Sequence, residues 1–247
     1  MKKIIIIFFL IPLLSFFLHC GKKDISEVAE QEFKLSENAS VNQEIKKLHE
    51  ALKTAETDIA KAEIYTKIAS INSEKGDIGS MIKSATEAIK YQPNQYMSHY
   101  LLGKSYIAAG RYNDAVDELN IAISLKSDFA PAYFEMGNAE YKRYNYKESK
   151  KNFQLAIKYD KNYIDAYNNL GVVCTLSGDL KEAEKNLKIC NSLNPEYAIA
   201  YKNLGILYDT KMKKNAEAVM NYNKYLTLRP DCPERSLVKL WIAALGG

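Results

Sequence analysis

Cys174 and Cys190 lie in the stretch "YNNLGVVCTLSGDLKEAEKNLKICNSLNP", Tyr167 to Pro195, among Lys, Glu, Asp and Asn side chains. Two thiols in such company could form a redox pair, supply half of a metal site or surround a nucleophile. Redox and nucleophilic work require a thiolate, and so a lowered pKa. A zinc site requires ligands in pairs at CxxC or HxxxH spacing, and no such pair occurs. The remaining cysteines are Cys20 and Cys232, and the three histidines are His19, His49 and His99. His49 has no Ser or Cys partner nearby in sequence, and GxSxG, P-loop and HExxH motifs are absent. These residues do not add up to a catalytic constellation, a cofactor site or a metal site. Their meaning depends on the elements that carry them.

The chain has 247 residues, 47% of them apolar, which is enough for a substantial core. Its formal charge is +4, from 34 basic and 30 acidic residues, and falls to +2 without Lys2 and Lys3. Only four of the basic residues are arginines, and no long basic block occurs. Phosphate backbones are held by concentrated basic faces, so nucleic acid is not an expected partner.

The N-terminus reads "MKKIIIIFFLIPLLSFFLHCGKKD". Fifteen residues from Ile4 to Leu18 are apolar except for Ser15 and Pro12. A spanning helix needs about 20 apolar residues, so this run has the length of a signal-peptide core. No Ala precedes Ala29, so the small-x-small site of ordinary signal cleavage is missing. Instead Cys20 closes the run, followed by Gly21 and charge. This resembles a bacterial lipoprotein signal, although Phe17 and His19 stand where the motif has Leu and a small residue. The resemblance implies that residues 1–19 are removed and that Cys20 is lipidated. Residues 20–40 are polar without a sustained period and read as a flexible tether.

Beyond the tether the chain repeats. Gly103, Gly137, Gly171 and Gly205 are spaced by 34 residues, and Ala69 lies 34 before the first. Four positions earlier stand Tyr65, His99, Tyr133, Tyr167 and Tyr201. Twelve positions later stand Met81, Ala115, Ser149 and Ala183, while Ala218 follows after 13, which predicts one extra turn residue near "KMKKN". Ala88, Ala122, Ala156, Cys190 and Tyr225 share a later place, and Pro93, Pro195 and Pro230 close three of the units. Each unit holds two apolar stripes at helical spacing split by a turn such as "AGR" or "SGD". Small residues on both helices let the pair approach closely.

The pattern resembles the tetratricopeptide repeat, with five units at 62–95, 96–129, 130–163, 164–197 and 198–232. It implies an all-α fold, a right-handed superhelical solenoid of antiparallel helix pairs. Such an array needs caps. Residues 41–61, with Ile45, Leu48 and Leu52 at helical spacing, predict an N-terminal helix. Residues 233–247, "PERSLVKLWIAALGG", predict a capping helix that starts at Pro233 and carries the only Trp, Trp241.

In this frame the suspicious residues acquire packing roles. Cys190 stands where three other units have Ala, and His99 where the other four have Tyr. About seven helical residues separate the two cysteines' distances from their turn, roughly 10 Å along the axis. A disulfide wants Cα atoms within about 7 Å, which speaks against a bridge within the unit and leaves one to Cys232 open. By the resemblance, the first helices line a concave groove. It would present Tyr100, Lys104 and Ile107, then Phe134, Glu135, Asn138, Tyr141 and Lys142, then Asn168, Asn169 and Val172, then Lys202 and Asn203. Rings and amides suit an extended or helical peptide. The two-carboxylate clamp of one subclass does not fit, because Pro131 and Ile199 occupy places where it wants Lys.

The layout predicts a scaffold or adaptor, not an enzyme, lipid-anchored in a bacterial envelope with the outer membrane favoured. Exported proteins of this layout serve pilus and secretin assembly or organise peptidoglycan enzymes. A glycan-binding module is the alternative, since Tyr-rich grooves can stack sugars. It predicts affinity for peptidoglycan fragments without protein.

Overall fold

The computed structural model describes residues 25–246, with side chains from residue 39 onward. The expected signal and the expected lipidation site, Cys20, lie outside the described residues. The chain divides into two compact units, with the boundary after Thr54. The first contains α1, Ile25–Thr54. It joins residues 25–40, read above as a tether, to 41–54 in one helix. No Gly or Pro occurs between Gly21 and Gly76, and Glu, Lys, Gln, Ala and Leu favour helix throughout. The helix expected over 41–61 is nevertheless divided, because Thr57 starts a new one. Its hydroxyl accepts from the Ala60 N–H at 3.1 Å, an N-cap that sequence periodicity alone did not locate.

The second unit is a run of helix pairs: α2 Asp58–Lys75 with α3 Ile78–Tyr91, α4 Tyr96–Ala108 with α5 Tyr112–Leu125, and α6 Ala130–Lys142 with α7 Tyr146–Tyr159. Then come α8 Ile164–Ser177 with α9 Leu180–Leu193, and α10 Ala198–Ile206 with α11 Asn215–Leu228. Helix α12, Arg235–Ala244, closes the array, starting two residues after Pro233. It buries Val238 and lays Trp241 against Tyr222 at 5.4 Å between ring centroids. Consecutive helices pack in order, giving an all-α solenoid of antiparallel pairs.

One contact recurs inside the pairs. A Cβ added to Gly103, Gly137, Gly171 or Gly205 would lie 2.7, 2.6, 2.6 or 2.4 Å from Leu119, Phe153, Leu187 or Tyr222. These large residues come 16 positions after their glycine, or 17 in the last pair, and are at most 1% exposed. The small residues at the twelfth position let the backbones approach. The Ser149 hydroxyl there donates to the Gly137 carbonyl at 2.8 Å. The glycine, however, makes room for a large side chain, which the small-on-small reading missed. The first pair has alanine at both of these positions, Ala69 and Ala85, both fully buried.

The turns repeat too. Gly76, Gly110, Tyr144, Gly178 and Lys213 all adopt positive φ, from 54° to 83°. The extra residue of the last pair is not in its turn. It is absorbed as a π-helical segment, Leu207–Met212, so that Lys213 still reaches the left-handed turn position. Tyr144 has a Cβ where three other turns have none, and it is 78% exposed. The left-handed conformation costs a non-glycine residue roughly 1–2 kcal/mol. Tyr144→Gly is therefore expected to stabilise the chain by about 0.5 kcal/mol, after glycine's greater unfolded-state entropy is subtracted. Urea unfolding reads this, and a lower midpoint would contradict it.

His99 takes its Tyr position with a different consequence. Tyr133 donates its hydroxyl to the Ser127 carbonyl, six residues back, at 3.0 Å. His99 Nε2 faces the Pro93 carbonyl, also six back, at 2.8 Å, and Nδ1 faces the Glu118 carboxylate at 2.6 Å. Both partners accept, so both ring nitrogens must donate, and the ring is held as imidazolium. Burial favours the neutral ring, but the bonds to Glu118 and Pro93 outweigh it and raise the pKa above 6.5. Stability from this pair is present below pH 6.5 and is lost as pH rises through the raised value. The melting temperature should therefore fall as pH rises from 6.5 through that raised value. His99→Tyr, which restores the side chain of the other units, should flatten that profile; an unchanged slope would refute the assignment.

Candidate functional site

Helix α2 lies against α4, α4 against α6, and α8 against α10, while the second helices make no comparable approach to one another. The first helices are thus nearest the axis of curvature and line the concave face. Along this face runs a continuous chain of side-chain amides. Asn203 donates to Asn168 at 2.8 Å, Asn168 to Asn169 at 3.0 Å, Asn169 to Asn138 at 3.0 Å, and Asn138 to Glu135 at 3.0 Å. A carboxylate only accepts, so Glu135 sets the direction of the whole chain. Burial raises the Glu135 pKa, opposed by the Asn138 bond and the nearby Lys104 ammonium. Every amide uses one N–H within the chain and retains a second.

Helices α6 and α8 do not approach each other as the other first helices do. Between them lies a cavity of about 380 Å³, lined by Ile107, Phe153, Val172 and Val173 and by Asn138, Asn169, Tyr141 and Lys142. Lys142 is exposed and has no ion pair or hydrogen-bond partner among the described residues. Tyr141 packs on Tyr146 at 6.0 Å, and Tyr146 meets the exposed Tyr144 edge-on at 6.4 Å.

The predicted groove residues divide into three groups, with Lys104 apart. Asn138, Tyr141, Lys142 and Asn169 come together at the cavity. Asn168 and Asn203 continue the amide chain, with Asn168 only 5% exposed. Tyr100, Phe134 and Lys202 serve packing between neighbours. Tyr100 meets Phe129 edge-on at 5.1 Å, and Phe134 lies 4.8 Å from the Tyr163 ring. The Lys202 ammonium pairs with Glu234 at 2.8 Å and sits over Tyr225. Lys104 acts on Glu135. Phe153 and Val173 were not singled out from sequence. Phe153 carries a legible signal, since it is the large residue 16 positions after Gly137.

Cys174, Cys190 and Cys232 are buried and unbridged. Burial and the charge of Glu182 push the Cys174 thiol up to about 11, and burial pushes Cys190 up to about 12. Both therefore stay protonated near neutral pH, far from nucleophilic character. The Cys174 sulfur lies within 4.8 Å of carboxylates of Asp179 and Glu182. Lys150 already provides the cation there, at 2.6 Å from each carboxylate.

Two family models match the chain. One described as TPR repeat matches residues 103–143, and one described as Tetratricopeptide repeat matches 62–95 and 164–197. A comparison with curated protein sequences returns no match. Among solved structures, the MamA protein is 28% identical with a TM-score of 0.59, over 72% of this chain and 94% of MamA. PilW, titled a widely conserved type IV pilus biogenesis factor, is 22% identical with a TM-score of 0.69, over 75% of this chain and 86% of PilW. YrrB, titled a TPR protein with an unusual peptide-binding site, is 19% identical with a TM-score of 0.61, over 78% and 97%. The chain carries tetratricopeptide repeats, stacked in the solenoid fold that these proteins share.

Proposed function

We propose that this chain is a membrane-tethered scaffold or adaptor of a bacterial envelope, which holds a protein or peptide partner along its concave face. The observation that carries the reading is the line of amides from Asn138 to Asn203, spanning three helix pairs, with a second N–H unspent on the half-buried Asn138, Asn169 and Asn203. An extended segment presents its backbone acceptors at regular intervals, and a row of donors on a rigid curved support matches it. The tether rests on the sequence alone: an apolar run ending in Cys20, followed by Gly21 and charge. The pilus role of PilW offers one envelope process by analogy of fold. Binding is favoured over catalysis because the cysteine thiols are held protonated and the polar groove residues bond mainly to one another.

A pull-down from detergent-solubilised envelope tests this reading. The variant compared with the wild type is Tyr141→Ala/Lys142→Ala/Asn169→Ala, at half-buried or exposed positions. Co-purified proteins are expected to be lost from the variant. Cys20→Ser is expected to move the chain out of the membrane fraction. Identical partner sets from both groove versions would sink the scaffold reading, and an unmoved Cys20→Ser chain would sink the tether.

A further inference from the structure

The cavity between α6 and α8 distinguishes one stretch of the groove from the rest. Its floor is apolar, from Phe153, Val172, Val173 and Ile107. Its volume, about 380 Å³, is at the small end of ligand pockets, suited to one or two side chains rather than to a large cofactor. The polar groups at its mouth are one-sided in character. Asn138 and Asn169 each have their carbonyl oxygen accepting from the next amide and one N–H unspent. Lys142 adds an ammonium with no partner among the described residues. The Glu135 carboxylate, which ends the amide chain, already accepts from Asn138 and lies near Lys104. The mouth thus offers donors and positive charge above an apolar floor.

We propose that this cavity is the anchor point for a linear peptide segment of the partner. One large apolar side chain (Leu, Ile, Met or Phe) fills the cavity, and an adjacent Asp or Glu pairs with Lys142. The peptide's own carbonyls take the spare amide N–H groups of Asn138 and Asn169. Burial of the apolar side chain supplies affinity, and the unpaired ammonium supplies the preference for acid. A sugar, with few apolar atoms to fill the floor and no carboxylate requirement, fits the same features less well. This inference rests on the groove-binding reading and adds the chemistry of what is bound.

The test is a display selection of random linear peptides on the full-length chain in detergent, followed by anisotropy titration of the enriched peptides. Wild type should enrich peptides that place a large apolar residue within a few positions of Asp or Glu. Val172→Trp, which fills the cavity from a half-exposed position, should weaken them roughly tenfold or more. Lys142→Glu, at an exposed site where folding is not at stake, should reverse the charge preference of a fresh selection. Circular dichroism checks that both variants keep wild-type helicity. Enriched peptides lacking the apolar–acidic pair, equal affinity for Val172→Trp, or an unchanged preference in Lys142→Glu would each overturn the proposal. Such a result, with the pull-down partners still lost from the groove variant, would leave the scaffold reading standing and remove only this anchor.

Discussion

The repeated array depends on one contact: in four of the five pairs, a glycine in the first helix stands against a large side chain in the second. Gly103, Gly137, Gly171 and Gly205 have no room for a Cβ because Leu119, Phe153, Leu187 and Tyr222 stand there. Close packing makes the sum of the two volumes matter more than either alone. The first pair differs, with a smaller combination of two fully buried alanines, Ala69 and Ala85. A glycine in mid-helix costs about 1 kcal/mol relative to alanine. The fully buried Leu or aromatic ring that it admits contributes roughly 1.5–3 kcal/mol, so the exchange favours folding.

That contact also places the groove. Fixing the two helices of a pair at one distance leaves the first helices free to meet those of the next pair, and the inner face becomes a row of repeated positions. Asn168, Asn169 and Asn203 meet because α8 and α10 are brought together in this way. Asn138 joins the chain across the wider gap between α6 and α8, and the cavity occupies that gap. Phe153 belongs to both parts of the account, filling the space over Gly137 and forming the cavity floor. The same ring thus supports the fold and shapes the proposed site.

The 34-residue spacing made most of this architecture legible in the sequence, because a repeated glycine reports a steric need that recurs with it. It showed less well what lies across from each glycine, since Leu, Phe and Tyr differ by type while filling one space. The π-helical segment was visible only as an added residue, and its location in the helix rather than the turn follows from the demands of the turn at Lys213. Of the groove residues, the asparagines and Tyr141 could be read from repeat position. Tyr100, Phe134 and Lys202 occupy equivalent positions but are taken up by Phe129, Tyr163 and Glu234, contacts set by neighbouring units. Only the first part of α1, residues 25–40, was hidden, because a polar stretch without the apolar spacing of Ile45, Leu48 and Leu52 resembles a tether in a single sequence.

The most direct measurement of the central claim is a double-mutant cycle on Gly171 and Leu187, read by urea unfolding. Gly171→Ala should destabilise by about 1–2 kcal/mol despite alanine's better helix propensity. Leu187→Ala should cost roughly 2–5 kcal/mol. The double variant, which reproduces the alanine pair of the first unit, should lose at least about 1 kcal/mol less than the sum. Additive losses, or a stabilising Gly171→Ala, would contradict the claim that this contact sets the spacing on which the array and its groove depend.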